Sequence, residues 1–140
     1  VIQISGTARD ITEQKAFQHQ LSYHAEHDSL TGLFNRNYFQ QELERTVARV
    51  ARNGTGCALF FIDLDQFKVV NDTFGHTAGD ELLRQLSELI QSSIRSSDML
   101  ARLGGDEFGI ILKNCTRQGA IDTCSKIKQQ IAETPFRWDG

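Results

Sequence analysis

The residues best equipped for chemistry lie in one stretch, Ala101-Arg-Leu-Gly-Gly-Asp-Glu-Phe-Gly-Ile-Ile-Leu112, where a glycine pair and a carboxylate pair join two short apolar runs. Glycines at a tight turn admit positive φ and put no Cβ between the backbone and a ligand. Gly104 and Gly105 therefore predict the turn of a β-hairpin with its chemistry at the tip. Asp106 and Glu107 stand at the start of the returning strand. Neighbouring carboxylates repel, and a bound cation relieves the repulsion; the alternative is an ordinary solvated turn. A further acid brought to the same place from elsewhere in the chain decides between the two.

Cys57-Ala-Leu-Phe-Phe-Ile-Asp-Leu-Asp65 offers that acid. It is apolar at successive positions, which predicts a central strand buried on both faces. Asp63 and Asp65 end it, and strand ends are where open α/β sheets hold ligands; a plain strand-capping carboxylate is the alternative. Gln66-Phe-Lys-Val-Val-Asn-Asp-Thr-Phe-Gly-His76 reads as a short helical turn broken at Gly75, and Lys68, Asn71, Asp72 and His76 supply it with the groups of a polar ligand pocket. Asp80, in the first turn of the next helix, either complements the helix dipole or faces a ligand.

Several elements must position these groups. A loop over His27–Arg36, bent at Gly32, introduces a helix that runs from Asn35 toward Arg52 with Phe39, Leu43, Val47 and Val50 inward and Asn53-Gly54 to stop it. Thr77 is the expected N-cap of a helix from Ala78 to about Ser93, whose Leu82, Leu83, Leu86, Leu89 and Ile90 form a broad apolar face. Thr116 caps a last helix through Ala132, with Ile121, Cys124, Ile127 and Ile131 inward, before Pro135. This order predicts an α/β (α+β) fold of the ferredoxin-like split β-α-β type, the first strand central beside one arm of the hairpin. Two strands would then offer Asp63, Asp106 and Glu107 to one or two Mg²⁺ ions bridging substrate phosphates. A closing strand is not found before Gly140, so an exposed sheet edge is expected.

Upstream, Val1 to Asp10 reads as the remnant of a strand, followed by an amphipathic helix capped by Asp10 or Thr12 with Phe17, Leu21 and Ala25 on one face. That helix is either a connector to a preceding domain or a helix packed on its own.

Composition excludes several classes. With 140 residues, 39% hydrophobic and 24% charged, the chain has the length and make-up of one soluble domain with a real core. No apolar run reaches the length of a membrane span and no secretory leader opens the chain, so no membrane contact by this chain is expected. Cys57, Cys115 and Cys124 are odd in number and widely spaced, which argues against a disulfide framework or zinc site and suits a reducing cytoplasm. A net charge of −3 without a basic stripe argues against nucleic acid as a partner.

Taken together, Asp28-Ser-Leu-Thr-Gly-Leu-Phe-Asn-Arg36, Asp63-Leu-Asp-Gln-Phe-Lys68, Asn71-Asp72, Gly75-His76, Gly79-Asp80 and Arg102-Leu-Gly-Gly-Asp-Glu-Phe108 resemble the GGDEF family of diguanylate cyclases. The resemblance runs from about residue 27 to the end, with the C-terminal part of the domain missing. Ser5 to Lys15 resembles the exit of a PAS sensor domain, so residues 1–10 are expected to be a PAS tail and 11–26 a signalling helix. The resemblance implies an enzyme that joins two GTP molecules into cyclic di-GMP and pyrophosphate. Each half-site of a homodimer presents one GTP, and a 3′-hydroxyl attacks the partner's α-phosphate.

Carried over residue by residue, Asp63 and Asp106 match side-chain ligands of Mg²⁺ or Mn²⁺, and Leu64 matches the position offering a backbone carbonyl. Asp106 also matches the proton acceptor, with Glu107 beside it. Asn71 and Asp80 match guanine readers, His76 a further pocket position and Lys68 the terminal phosphates; Phe67 shapes the base pocket, and Gly104 and Gly105 let the α-phosphate lie over the turn. Arg95-Ser-Ser-Asp98, separated from Gly104 by five residues, matches the family's R-x-x-D site for inhibition by product; a surface ion pair is the alternative. Asp106 is the shorter of the two acids the family accepts, and Gln66 replaces a commoner polar residue. The resemblance also implies a cytoplasmic setting, which includes the cytoplasmic part of a membrane-associated sensor. A non-catalytic GTP- or cyclic di-GMP-binding or dimerisation module is the other reading, and a pure receptor has no need of an intact Gly104-Gly105-Asp106-Glu107-Phe108. Another two-metal nucleotidyl transferase is disfavoured by the lack of a basic template groove.

Overall fold

The structure, a computed structural model, describes residues 2–139, with side chains from residue 12 onward. Its elements are α1 (Ile2–Glu26), α2 (Arg36–Asn53), β1 (Cys57–Asp63), α3 (Phe67–Phe74), α4 (His76–Ser93), β2 (Met99–Gly104), β3 (Glu107–Lys113) and α5 (Arg117–Glu133). The three strands form one antiparallel sheet in the order β1-β3-β2.

β3 is therefore the central strand, and its alternation divides the core. Phe108, Ile110 and Leu112 pack with Leu83, Leu86 and Ile90 of α4 and Ala120 and Ile127 of α5 on one face. Ile111 packs on the other face with Phe39 of α2 and with Met99 and Ala101 of β2. Burial on both faces, expected for Cys57–Asp63, belongs instead to β3. β1 alternates exposed and half-buried positions, with Phe61 67% exposed: among the described residues it is an edge strand, and α2 packs mainly over β2 and β3 on that face. The expectation that β1 sits centrally is corrected in the same way; that of an unpaired sheet edge holds among these residues.

Local signals account for the helix ends. The Asn35 side chain accepts from the Tyr38 N–H at 3.0 Å, and Gly54 closes α2 in the left-handed region. The Thr116 hydroxyl accepts from the Gly119 N–H at 3.0 Å. Thr77 does not cap α4: the helix begins at His76, directly after Gly75, whose φ of 94° and ψ of 168° suit glycine alone. Asp80 consequently lies past the first turn, where the dipole is already weak. Val47 and Ile121, expected inward, are 57% and 48% exposed, while the inner face of α2 carries Glu42 and Thr46. Residues 2–10, read as a strand remnant, continue α1 backward as helix. Phe17 and Leu21 stay 61% and 54% exposed, so α1 does not bury them on its own domain.

Candidate active site at the glycine turn

β2 and β3 form the expected hairpin, with a register shift between Arg102 and Gly104. Of the two glycines only Gly105 takes a positive φ, 33°. Phe108, just beyond the carboxylates, is fully buried and pins the start of β3 to the core. Truncating such a ring costs about 3–5 kcal/mol.

The antiparallel register settles where the third acid goes: Asp63 pairs directly with Glu107, so Asp63 and Asp106-Glu107 share one end of the sheet. Directly opposed Cα atoms lie about 4.5–5.5 Å apart, so the two side chains are neighbours on one face. Among the described residues none of these three acids takes part in an ion pair. The Leu64 carbonyl, next in the chain, receives one long bond from the Phe67 N–H at 3.4 Å and keeps acceptor capacity. Among the described residues no group of three or more His, Cys, Asp or Glu is placed to hold a metal ion by itself. The exposed Asp63 and Glu107, the half-buried Asp106 and the Leu64 carbonyl are hard oxygen donors, the type that a hard cation takes together with ligand phosphates.

α3 and α4 meet beside this end. Lys68 and His76 are exposed, Asp80 is half-buried, and the Asn71 carbonyl accepts from the Gly75 N–H at 2.8 Å. The Asn71 Oδ1 atom is buried without a hydrogen-bond partner, an arrangement that costs about 1–3 kcal/mol. Phe67 and Leu64 pack against the main core, so Phe67 acts on the site by fixing the start of α3.

Arg102, to which the sequence reading gave no role of its own, holds the turn. Its Nε and Nη2 donate to the Gly105 carbonyl at 3.0 and 2.9 Å, and its Nη1 donates to both Asp28 oxygens at 3.2 and 3.3 Å. Asp28 Oδ2 also accepts from the Thr31 N–H and hydroxyl at 2.9 and 2.7 Å. Burial pushes the Asp28 carboxyl up, but the Thr31 bonds and the Arg102 charge outweigh it and hold it below the usual range. Phe34, in the same loop, accepts from the Arg102 N–H at 2.9 Å and bridges Ala101. The loop after α1 is thereby tied to the glycine turn through a pair 74 residues apart. The signal in the sequence was the recurrence of Asp28-x-x-Thr31 and Arg102 in one chain, but spacing alone cannot pair them.

The Arg95-Asp98 corner lies at the opposite end of the hairpin. Asp98 Oδ2 accepts from the Arg95 N–H and Nε at 3.0 and 3.1 Å, and Oδ1 from Arg95 Nη2 and the Lys113 N–H at 3.0 and 3.2 Å. Burial raises the Asp98 carboxyl, and these bonds lower it further than burial raises it. Bonding and charge from Asp98 raise the Arg95 guanidinium. Arg95 keeps 56% of its side chain exposed, whereas Asp98 keeps 2%. Asp98 therefore orients Arg95, and only the arginine can greet a ligand.

The family profile "Diguanylate cyclase, GGDEF domain" matches residues 25–140. The chain is 47% identical over 132 residues to the probable diguanylate cyclase DgcE of Escherichia coli, covering 94% of this chain and 12% of that protein. It is 40% identical over 129 residues to the cyclic di-GMP phosphodiesterase PdeB of Shewanella oneidensis, covering 92% of this chain and 14% of that one. These curated relatives are thus several times longer than the part that matches. The coiled coil and GGDEF domain of DgcB from Caulobacter crescentus, solved in complex with c-di-GMP, superposes with a TM-score of 0.93 at 27% identity, over 99% of this chain and 72% of that one. A sensory box/GGDEF family protein from the same organism gives 0.75 at 40% identity, over 82% and 74%. With its glycine turn, its acids at one end of the sheet and these likenesses, the chain belongs to the GGDEF domain family of diguanylate cyclases.

Proposed function

We propose that this chain condenses GTP as the catalytic domain of a diguanylate cyclase. The observation that carries the reading is the register of Asp63 with Glu107, beside Asp106 and without a protein cation. Asp63, Asp106 and the Leu64 carbonyl would hold Mg²⁺ or Mn²⁺, which supplies charge neutralisation at the phosphates. Asp106 accepts the proton of the attacking 3′-hydroxyl. That oxygen forms a bond to the α-phosphorus of the GTP on the facing half-site, the bond to the β-phosphate bridging oxygen breaks, and pyrophosphate leaves with the electron pair. Two such attacks close cyclic di-GMP, so two copies of the domain must face each other. Glu107 adds negative charge for the cation, Gly104 and Gly105 admit the α-phosphate, Lys68 meets the terminal phosphates, and Asn71, Asp80 and His76 address guanine beside the wall that Phe67 supports. Arg95, oriented by Asp98, receives the product and restrains further turnover.

The chain, incubated as a dimer-forming preparation with GTP and Mg²⁺, yields cyclic di-GMP identifiable by mass. The similarity to a protein named as a phosphodiesterase favours one second reading, a GTP- or cyclic di-GMP-binding module without turnover. Tight nucleotide binding with no product would select that reading.

A further inference from the structure

Gly79 is buried in α4, and the space beside its Cα is taken by another residue. A Cβ built there would meet three nearest atoms, all of the Asn71 side chain: Oδ1 closest, Cγ at 2.8 Å and Nδ2 at 3.3 Å. The amide of Asn71 thus lies in the notch that the missing side chain leaves. Its Oδ1 is the buried side-chain polar atom without a partner among the described residues, so no protein hydrogen bond holds the amide in place. Shape alone does.

We propose that Gly79 is a positioning residue for base recognition: the bare backbone at this position seats the Asn71 amide next to Asp80, so that amide and carboxylate face a guanine base together. This rests on the reading of the site as a GTP site. The chemistry follows from the donors and acceptors. Of the amide atoms Oδ1 lies deepest in the notch and Nδ2 farthest out, at 3.3 Å, which leaves the nitrogen as the group to meet an acceptor on the base, while the Asp80 carboxylate accepts from guanine N–H groups that adenine lacks. A methyl group at 79 expels the amide. The displaced group is the end of a side chain, so the fold survives, and a helix interior otherwise prefers alanine to glycine. Loss of base choice without loss of fold is what separates positioning from a structural role.

The test compares the parent chain with Gly79→Ala, Asn71→Ala and the double variant, titrating α,β-methylene analogues of GTP and ATP calorimetrically with Mg²⁺ and recording thermal melts. Expected is a preference for the guanine analogue in the parent that falls at least about tenfold in Gly79→Ala and equally in Asn71→Ala, with no further fall in the double variant. An unchanged preference in Gly79→Ala overturns the proposal, as does additive loss in the double variant. Should Gly79→Ala fail to fold, the double variant must fold, because only the Asn71 side chain stands in the way; if it also fails, the proposal falls. A parent without any guanine preference would instead overturn the GTP reading, while the melts still decide whether Asn71 and Gly79 share the notch.

Discussion

The two ends of the β2-β3 hairpin carry acids under opposite conditions. At one end Asp98 accepts four hydrogen bonds, and Glu42 nearby is held by Lys113 at 2.6 Å and Arg45 at 3.3 Å. At the other, Asp63, Asp106 and Glu107 share one end of the sheet, and among the described residues no basic side chain pairs with them. The first arrangement closes on itself and holds strands and helices together. The second leaves its acids unpaired, and in the proposed function a cation arriving with a ligand would complete it. Arg102 lies beside the open end but does not serve it: its charge is spent on Asp28 and on the Gly105 carbonyl, so it ties the loop after α1 to the turn without pairing with the acids beyond it.

The sharpest way to break this comparison is to neutralise the open end. Asp63→Asn and Asp106→Asn should each lower cyclisation of GTP at least about a hundredfold while the melting temperature stays level or rises, since repulsion is relieved. Product chromatography alongside a thermal scan checks both parts, and near-parental turnover would remove the carboxylates from the mechanism.

Next in size is the link. Arg102→Ala leaves the Gly105 carbonyl without its side-chain donor and Asp28 without its cation, with only the Thr31 bonds remaining, and a loss of about 2–3 kcal/mol is expected in urea unfolding. Asp28→Ala should lose less, and adding it to Arg102→Ala should cost little more, because the two act as one unit.

At the closed end, Arg95→Ala should weaken cyclic di-GMP binding by about tenfold or more, the loss expected when a planar charged fork is removed. A calorimetric titration that finds the parent's affinity in the variant would return Arg95 to the role of a surface partner for Asp98.

The smallest effect is a pH signature. Arg95 and the backbone N–H groups hold the Asp98 carboxyl below its ordinary value against burial. Its stabilising contribution is then full above the unfolded value, about 3.9, and is lost as pH falls through the lower folded value. Asp98→Asn should be less stable than the parent by about 1 kcal/mol at neutral pH, and the gap should close below about pH 4. A gap independent of pH would mean that Asp98 acts by shape and not by charge.

Much of this molecule was legible in the residue order, because the signals are local. Asn35 and Thr116 cap their helices, Gly54 and Gly75 end theirs, and the glycine pair makes the hairpin turn, since each is decided within a few residues. The candidate acids were legible by type and spacing, and the seven-residue run of β1 by its apolar content. Tertiary structure decided what spacing cannot carry. An apolar run does not say whether a strand lies at the centre or the edge of a sheet, and here β3 took the central position and β1 the edge. Only the antiparallel register set Asp63 against Glu107, 44 positions away, and only packing drew Asp28 to Arg102 and the Asn71 amide into the notch at Gly79. Pairings of that range depend on which surfaces meet once the core has closed, a property of the whole chain and of no window within it.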